Sequence, residues 1–274
     1  MQHRITNWDD AYDNGNNIAS GHRWPALWAD AAEDYRSTQA KNCSIELDRA
    51  YGADSRQKFD LIQPQLEPLG LVVFVHGGFW HKLDKSFFTH LASGSADSGW
   101  AVAIPSYRLC PDVSISEIID DVSQAIISAA ARVSGPIRLI GHSAGGHLVA
   151  MMITSMSLLP AELQARVEHV VSVSGLHDLR PMLNLSMNRL LQIDPAQAAA
   201  LSPALLSPIE GKRMTCWVGA SERSEFLRQN DLLANIWKGL GSETCSVHQP
   251  DSHHFNILDG LQDKSSPLTR ALLA

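Results

Sequence analysis

Nothing constrains the fold of this chain as much as Leu139-Ile140-Gly141-His142-Ser143-Ala144-Gly145-Gly146-His147. An apolar segment, residues 137–140, leads in, and an Ala/Met/Leu-rich stretch of helical pattern, 144 to about 157, leads out. A G-x-S-x-G placed between a strand and a helix forces a sharp turn. The serine hydroxyl is then held at the carboxyl edge of a sheet, beside a helix N-terminus that favours developing negative charge. Gly141 and Gly145 leave room for backbone to pass close by. In this context Ser143 is a candidate nucleophile. The bland alternative is a glycine-rich β–α turn with an incidental serine.

Such an elbow needs strands around it. Residues 71–75 and 100–105 are apolar runs of the kind buried on both faces of a sheet, and 167–173 reads as another buried strand. Two further strands are predicted at 214–218 and 243–248, and 44–51 with 58–63 read as an antiparallel pair at a sheet edge. Helices are predicted over 86–98, 114–133, 226–238 and from 256 onward. Glu117, Asp120 and Asp121 read as the solvated face of the second of these. Strands alternating with helices imply an α/β fold, a mostly parallel sheet with helices on both faces.

Two elements of the site follow from position. His76-Gly77-Gly78-Phe79-Trp80 leaves the end of the 71–75 strand. Consecutive glycines there let the N–H groups of Gly77 and Gly78 point into a cleft, where with the N–H of Ala144 they form a candidate oxyanion hole. His76 reads as a structural hydrogen-bonding residue. An activated serine also needs a base and a carboxylate to orient it, in the chain order Ser, acid, His. With 12 histidines, residue type decides nothing. Position selects His253 or His254, after the last strand. The acid comes from the loop after 214–218, as Glu222 or Glu225, with Asp178 in reserve. The His76/His81 and His142/His147 spacings miss the i, i+4 face of a zinc-binding helix, so neither a metal nor a cofactor is expected.

Composition bounds the partners. The 274 residues allow one large domain or two small ones, and we take 1–274 as a single domain. Residues 1–40 form an aromatic arm (Trp8, Tyr12, Trp24, Trp28, Tyr35) with a helix over 24–35. The arm covers the apolar body or, more sharply, roofs a substrate pocket. The proline-containing stretch of about 177–210 reads as a small cap. A net charge of −7 and a pI near 5.9 argue against nucleic acid and anionic membranes. No segment approaches the ~20 apolar residues that cross a bilayer, and the N-terminus lacks an apolar signal core. A cytoplasmic location, a small-molecule substrate and buried thiols at Cys43, Cys110, Cys216 and Cys245 are expected; a homodimer is admissible.

The motifs His76-Gly77-Gly78-Phe79-Trp80, Gly141-His142-Ser143-Ala144-Gly145-Gly146-His147-Leu148, Ser174-Gly175-Leu176-His177-Asp178-Leu179, Val218-Gly219 with Glu225-Phe226-Leu227-Arg228-Gln229, and His254-Phe255 hold their order from about residue 70 to the C-terminus. In them the chain resembles the α/β-hydrolase superfamily, and within it the kynurenine formamidase group of the hormone-sensitive-lipase-like branch. The resemblance implies an eight-stranded sheet and a triad of Ser143, His254 and Glu222. Glu222 stands where that group usually has Asp. It also implies cleavage of N-formylkynurenine to kynurenine and formate. Phe79, Trp80, Tyr107 and His142 are the expected substrate-binding residues, Phe79 and Trp80 crowding the small acyl group and Tyr107 stacking on the arylamine. A carboxylesterase for short acyl or aryl esters is the rival reading. A catalytically silent binding protein is the rival from another class.

Overall fold

The computed structural model describes residues 4–39 and 43–274; residues 1–3 and 40 of the arm lie outside the described residues. Eight strands form one sheet: β1 (Cys43–Ala50), β2 (Lys58–Pro64), β3 (Leu71–Val75), β4 (Ala101–Pro105), β5 (Ile137–His142), β6 (Val167–Val173), β7 (Arg213–Gly219) and β8 (Glu243–Gln249). Their order is β1-β2-β4-β3-β5-β6-β7-β8, with β1/β2 and β2/β4 antiparallel and the other neighbours parallel. This is the expected α/β-hydrolase sheet, with the antiparallel pair at its edge.

Every residue of β3, β4 and β5 is buried, because the sheet carries an apolar core on each face. Val73 and Val75 face one core while Val72 and Phe74 face the other, as the two-residue period of a strand requires. Each such side chain contributes roughly 1.5–3 kcal/mol. β3 and β4 therefore read as unbroken apolar runs, whereas β5 is interrupted by Arg138, which pairs with Glu168 of β6.

Some helices differ from expectation. The helix after Ser143 ends at Met151, not near 157. Thr154 Oγ donates to the Met151 carbonyl, and the chain then bridges to residues 207–209. Over 86–98 there is no continuous helix, only two 3-10 turns and one α turn. The Ser93 and Ser98 hydroxyls donate to the His90 and Gly94 carbonyls and compete with a regular ladder. The predicted terminal helix splits into Asn256–Gln262 and Pro267–Leu273. In Ile115–Ala130, begun by the Ser114/Glu117 capping box, Asp121 is not solvated. It is 2% exposed and binds the Arg108 guanidinium, the Arg108 N–H and the Gln57 amide. It thereby pins the loop after β4. Of the four cysteines Cys110 and Cys216 are buried, whereas Cys43 is half-buried and Cys245 exposed. Among the described residues no helix is long and apolar enough to cross a membrane.

Candidate active site

β5 delivers Ser143 at φ 55° and ψ −118°, a left-handed conformation that an L-residue adopts only under constraint. The constraint is visible. Ser143 N–H donates to the Val173 carbonyl on β6, and its own carbonyl accepts from His147 N–H in the following helix. A Cβ on Gly145 would lie 2.0 Å from the Val75 carbonyl, so only glycine lets the elbow sit against β3.

His254 lies in the loop after β8, buried, with Glu222 from the loop after β7. His254 Nδ1 donates to Glu222 Oε2 at 2.7 Å. That hydrogen bond leaves the Nε2 lone pair available as a base. Glu222 Oε1 accepts from Ser174 Oγ at 2.5 Å and from Gly219 N–H at 2.9 Å. Both carboxylate oxygens are thus committed, and the longer side chain is held by two donors on neighbouring strand ends. Ser174 belongs to a quoted motif, but its role as the clamp on Glu222 has no sequence signal; it follows from β6 and β7 being neighbours. Glu225 is engaged elsewhere, with Arg228 and the Tyr12 hydroxyl, and Asp178 pairs with Arg180. His253 carries no contact to either acid; its Nδ1 accepts N–H groups of Phe255 and Asn256.

Ser143 and His254 line one cavity of about 440 Å³. Ser143 Oγ makes no hydrogen bond among the described residues; such contacts commonly tighten only once substrate is bound. The Gly77–Gly78 turn faces the serine: a Cβ on Gly77 would lie 2.9 Å from Ser143 Cβ. Among the described residues the N–H groups of Gly77, Gly78 and Ala144 donate to no protein acceptor. The turn is held from behind. His76 Nδ1 contacts the Gly77 carbonyl at 2.7 Å, and the Tyr107 hydroxyl donates to the His76 carbonyl at 2.8 Å with the two rings stacked.

The expected pocket walls hold only in part. Phe79 and His142 line the cavity, and His142 Nε2 also donates to the His254 carbonyl at 2.8 Å. Trp80 does not line it. Phe79 and Trp80 both adopt positive φ, and the resulting twist sends Trp80 into the core, where its indole N–H donates to His147 Nδ1. Tyr107 is likewise fully buried and supports the oxyanion turn rather than substrate. The arm does reach the cavity, through Tyr12, Asn14, Pro25 and Trp28, and the 177–210 stretch reaches it through Leu185, Ser186 and Met187. Trp24 packs on Trp28, His253 and Phe255 instead.

Burial accounts for several of the other histidines. Desolvation pushes His76, His147 and His177 down to about 4 and His142 well below the usual imidazole range, so all are neutral structural rings at pH 7. Among the described residues, only His254 is oriented by a buried carboxylate.

The BD-FAE family model matches residues 59–209, more than half of the chain. The chain belongs to the BD-FAE family. The matched span covers β2 to the end of the 177–210 stretch and so includes the elbow and the oxyanion turn. This BD-FAE member is 27% identical to a kynurenine formamidase of Danio rerio over 83% of its length and 80% of the relative. It is 28% identical, at the same coverages, to one of Salmo salar. Among solved structures, a candidate thioesterase from Silicibacter sp. TM1040 superposes with a TM-score of 0.92 at 44% identity, covering 97% of this chain and 98% of the other. The BD-FAE chain is a hydrolase of the esterase/formamidase type.

Proposed function

We propose that the protein is an arylformamidase that hydrolyses N-formylkynurenine through Ser143, His254 and Glu222. The observation that carries the reading is the His254–Glu222 hydrogen bond beside a strained serine at the mouth of one cavity. His254 Nε2 takes the proton of Ser143 Oγ as Oγ attacks the formyl carbon. The carbonyl oxygen becomes an oxyanion that accepts hydrogen bonds from the N–H groups of Gly77, Gly78 and Ala144. Losing one such donor costs ~2.7–4 kcal/mol in comparable sites. The tetrahedral intermediate collapses with transfer of the proton from His254 to the arylamine nitrogen. Water, deprotonated by the same ring, then releases formate from Ser143. Glu222 keeps the ring in the required tautomer and stabilises its charged form.

Similarity to kynurenine formamidases along most of both chains supports the substrate. A second reading, a short-acyl ester or thioester hydrolase, is favoured by the 44% identity to the candidate thioesterase. The deciding experiment compares kcat/KM for N-formylkynurenine with that for p-nitrophenyl acetate. Formamide turnover at background, with the ester cleaved, removes the formamidase reading and leaves the second. Ser143→Ala is expected to lower kcat by ~10⁴-fold or more and to abolish fluorophosphonate labelling. Retained labelling would place the nucleophile elsewhere.

A further inference from the structure

Two polar side chains that line the Ser143 cavity have no partner inside the protein, and both come from the arm. Asn14 is 4% exposed, yet neither Nδ2 nor Oδ1 has a hydrogen-bond partner. Trp28, also 4% exposed, has an unpartnered indole Nε1. A buried amide that satisfies neither its donor nor its acceptor is a standing cost to folding unless a ligand completes it. Asn14 sits in the short helix Asn14–Asn17, whose N-cap is made by the Asp13 side chain, so its own amide is not needed for capping. Its neighbours each have a partner: Tyr12 donates to Glu225, Asp13 accepts from Asn16, and Asp9 accepts from Ser186 N–H through one carboxylate oxygen. Among the residues lining this cavity, Asn14 and Trp28 carry the unpartnered buried atoms.

The mouth of the same cavity carries charges of both signs. Lys82 is exposed there and forms no ion pair among the described residues, while Asp9 and Asp13 stand on the arm side. An amide that can donate and accept, a spare indole N–H, one cation and two carboxylates together match a zwitterionic head. They have no use for a plain apolar leaving group.

We propose that Asn14 is a specificity-determining residue that binds an α-amino-acid head on the leaving group, its amide donating to the carboxylate and accepting from the ammonium, with Trp28 Nε1 as a further donor. The identity of the aryl carrier rests on the formamidase reading above; recognition of the head does not.

The test compares matched substrates that differ only in the head. One pair is N-formylkynurenine and 2-formamidoacetophenone. The other is the acetate esters of ortho-tyrosine and of phenol. In the wild-type enzyme the headed member is expected to have the higher kcat/KM by roughly 10–100-fold, because a site built to hydrogen-bond a group rejects the analogue lacking it. Asn14→Leu is expected to bring each ratio to within about twofold, through KM rather than kcat. Asn14→Asp keeps size and acceptor but loses the donor, and is expected to lower the ratio at least about fivefold. The melting temperature of Asn14→Leu should be equal to or above wild type, since an unpaired amide is removed. A wild type without preference for the head in the ester pair overturns the proposal. So does an Asn14→Leu enzyme that loses both members of a pair equally, or whose melting temperature drops, the signs of a merely structural residue. If neither formamide is cleaved, the formamidase reading fails alone and the ester pair still decides this one.

Discussion

The sheet-edge wall of the cavity and the arm wall opposite it differ in how their polar atoms are satisfied. On the sheet side, both Glu222 oxygens, the His254 Nδ1 and the His142 Nε2 are in hydrogen bonds, and the serine backbone is held by β6. On the arm side, Asn14 and Trp28 line the same cavity with buried donors and acceptors unused. The difference separates two tasks. The acid and base that move a proton in every turnover must be positioned before substrate arrives, so the fold completes the bonding of Glu222 and of His254 Nδ1 and leaves His254 Nε2, Ser143 Oγ and the oxyanion N–H groups open to the reacting atoms. Groups that choose a substrate keep bonds in reserve, which the substrate completes. Damage to the first wall should reduce turnover of all substrates alike, whereas damage to the second should alter the ranking among them.

Glu222 gives the sharpest way to break that distinction. Glu222→Gln leaves the shape but lets the ring adopt the wrong tautomer, and kcat should fall by ~10³–10⁴-fold on formamide and ester alike. Glu222→Asp withdraws the carboxylate by one methylene from a 2.7 Å hydrogen bond, and a loss of ~10–100-fold is expected. Near-wild-type kinetics in either variant would remove Glu222 from the site. A loss confined to headed substrates would erase the distinction between the walls.

Acid tests the sheet side through stability. His76, His147 and His177 sit near 4 in the folded protein against 6.5 for a free ring. Between those values the unfolded chain binds protons that the folded one refuses. Stability therefore falls as pH drops from 6.5 toward 4, by up to about 1.4 kcal/mol per pH unit for each ring. Urea midpoints measured from pH 7 to 4.5 should fall steadily. A flat profile would mean that these rings are not held neutral by burial.

The smallest effect concerns how the arm is fastened. The Tyr12 hydroxyl donates to Glu225 and accepts from the Gln229 amide, and Arg223 pairs with Asp10. Tyr12→Phe removes a buried bond to a charged group and should cost about 1.5–3 kcal/mol in urea unfolding. Its kcat on p-nitrophenyl acetate should stay within about threefold of wild type. A loss as large as that of Glu222→Asp would mean that the arm also holds the catalytic wall in place.

Much of this molecule is legible in its sequence, and the illegible part has a common cause. β3 and β4 are written as apolar runs because both faces are covered, and the Ser143 turn is written in glycines because backbone passes within touching distance. Chain order led to the His253–His254 pair. The choices of His254 and of Glu222 rested on resemblance, and the hydrogen bond between them agrees with both. Trp80 and Tyr107 are aromatics expected in the pocket walls, and both point into the core instead. Which way an aromatic next to Gly-Gly points depends on backbone angles that the letters do not carry. Asp121 departs from the expected solvated face because its Arg108 partner lies 13 residues away. Asn14 is a plain polar residue in a polar segment, and its meaning lies in partners it does not have.

The contact between Asp9 and the Ser186 N–H links the arm to the 177–210 stretch across the cavity rim. Together with the Tyr12 fastening it makes the arm one jaw of a calliper, with the serine elbow as the fixed jaw. The gap is then set by how the jaw is clamped as well as by what lines it. Swapping the arm between related hydrolases would exchange the gauge and leave the chemistry where it is.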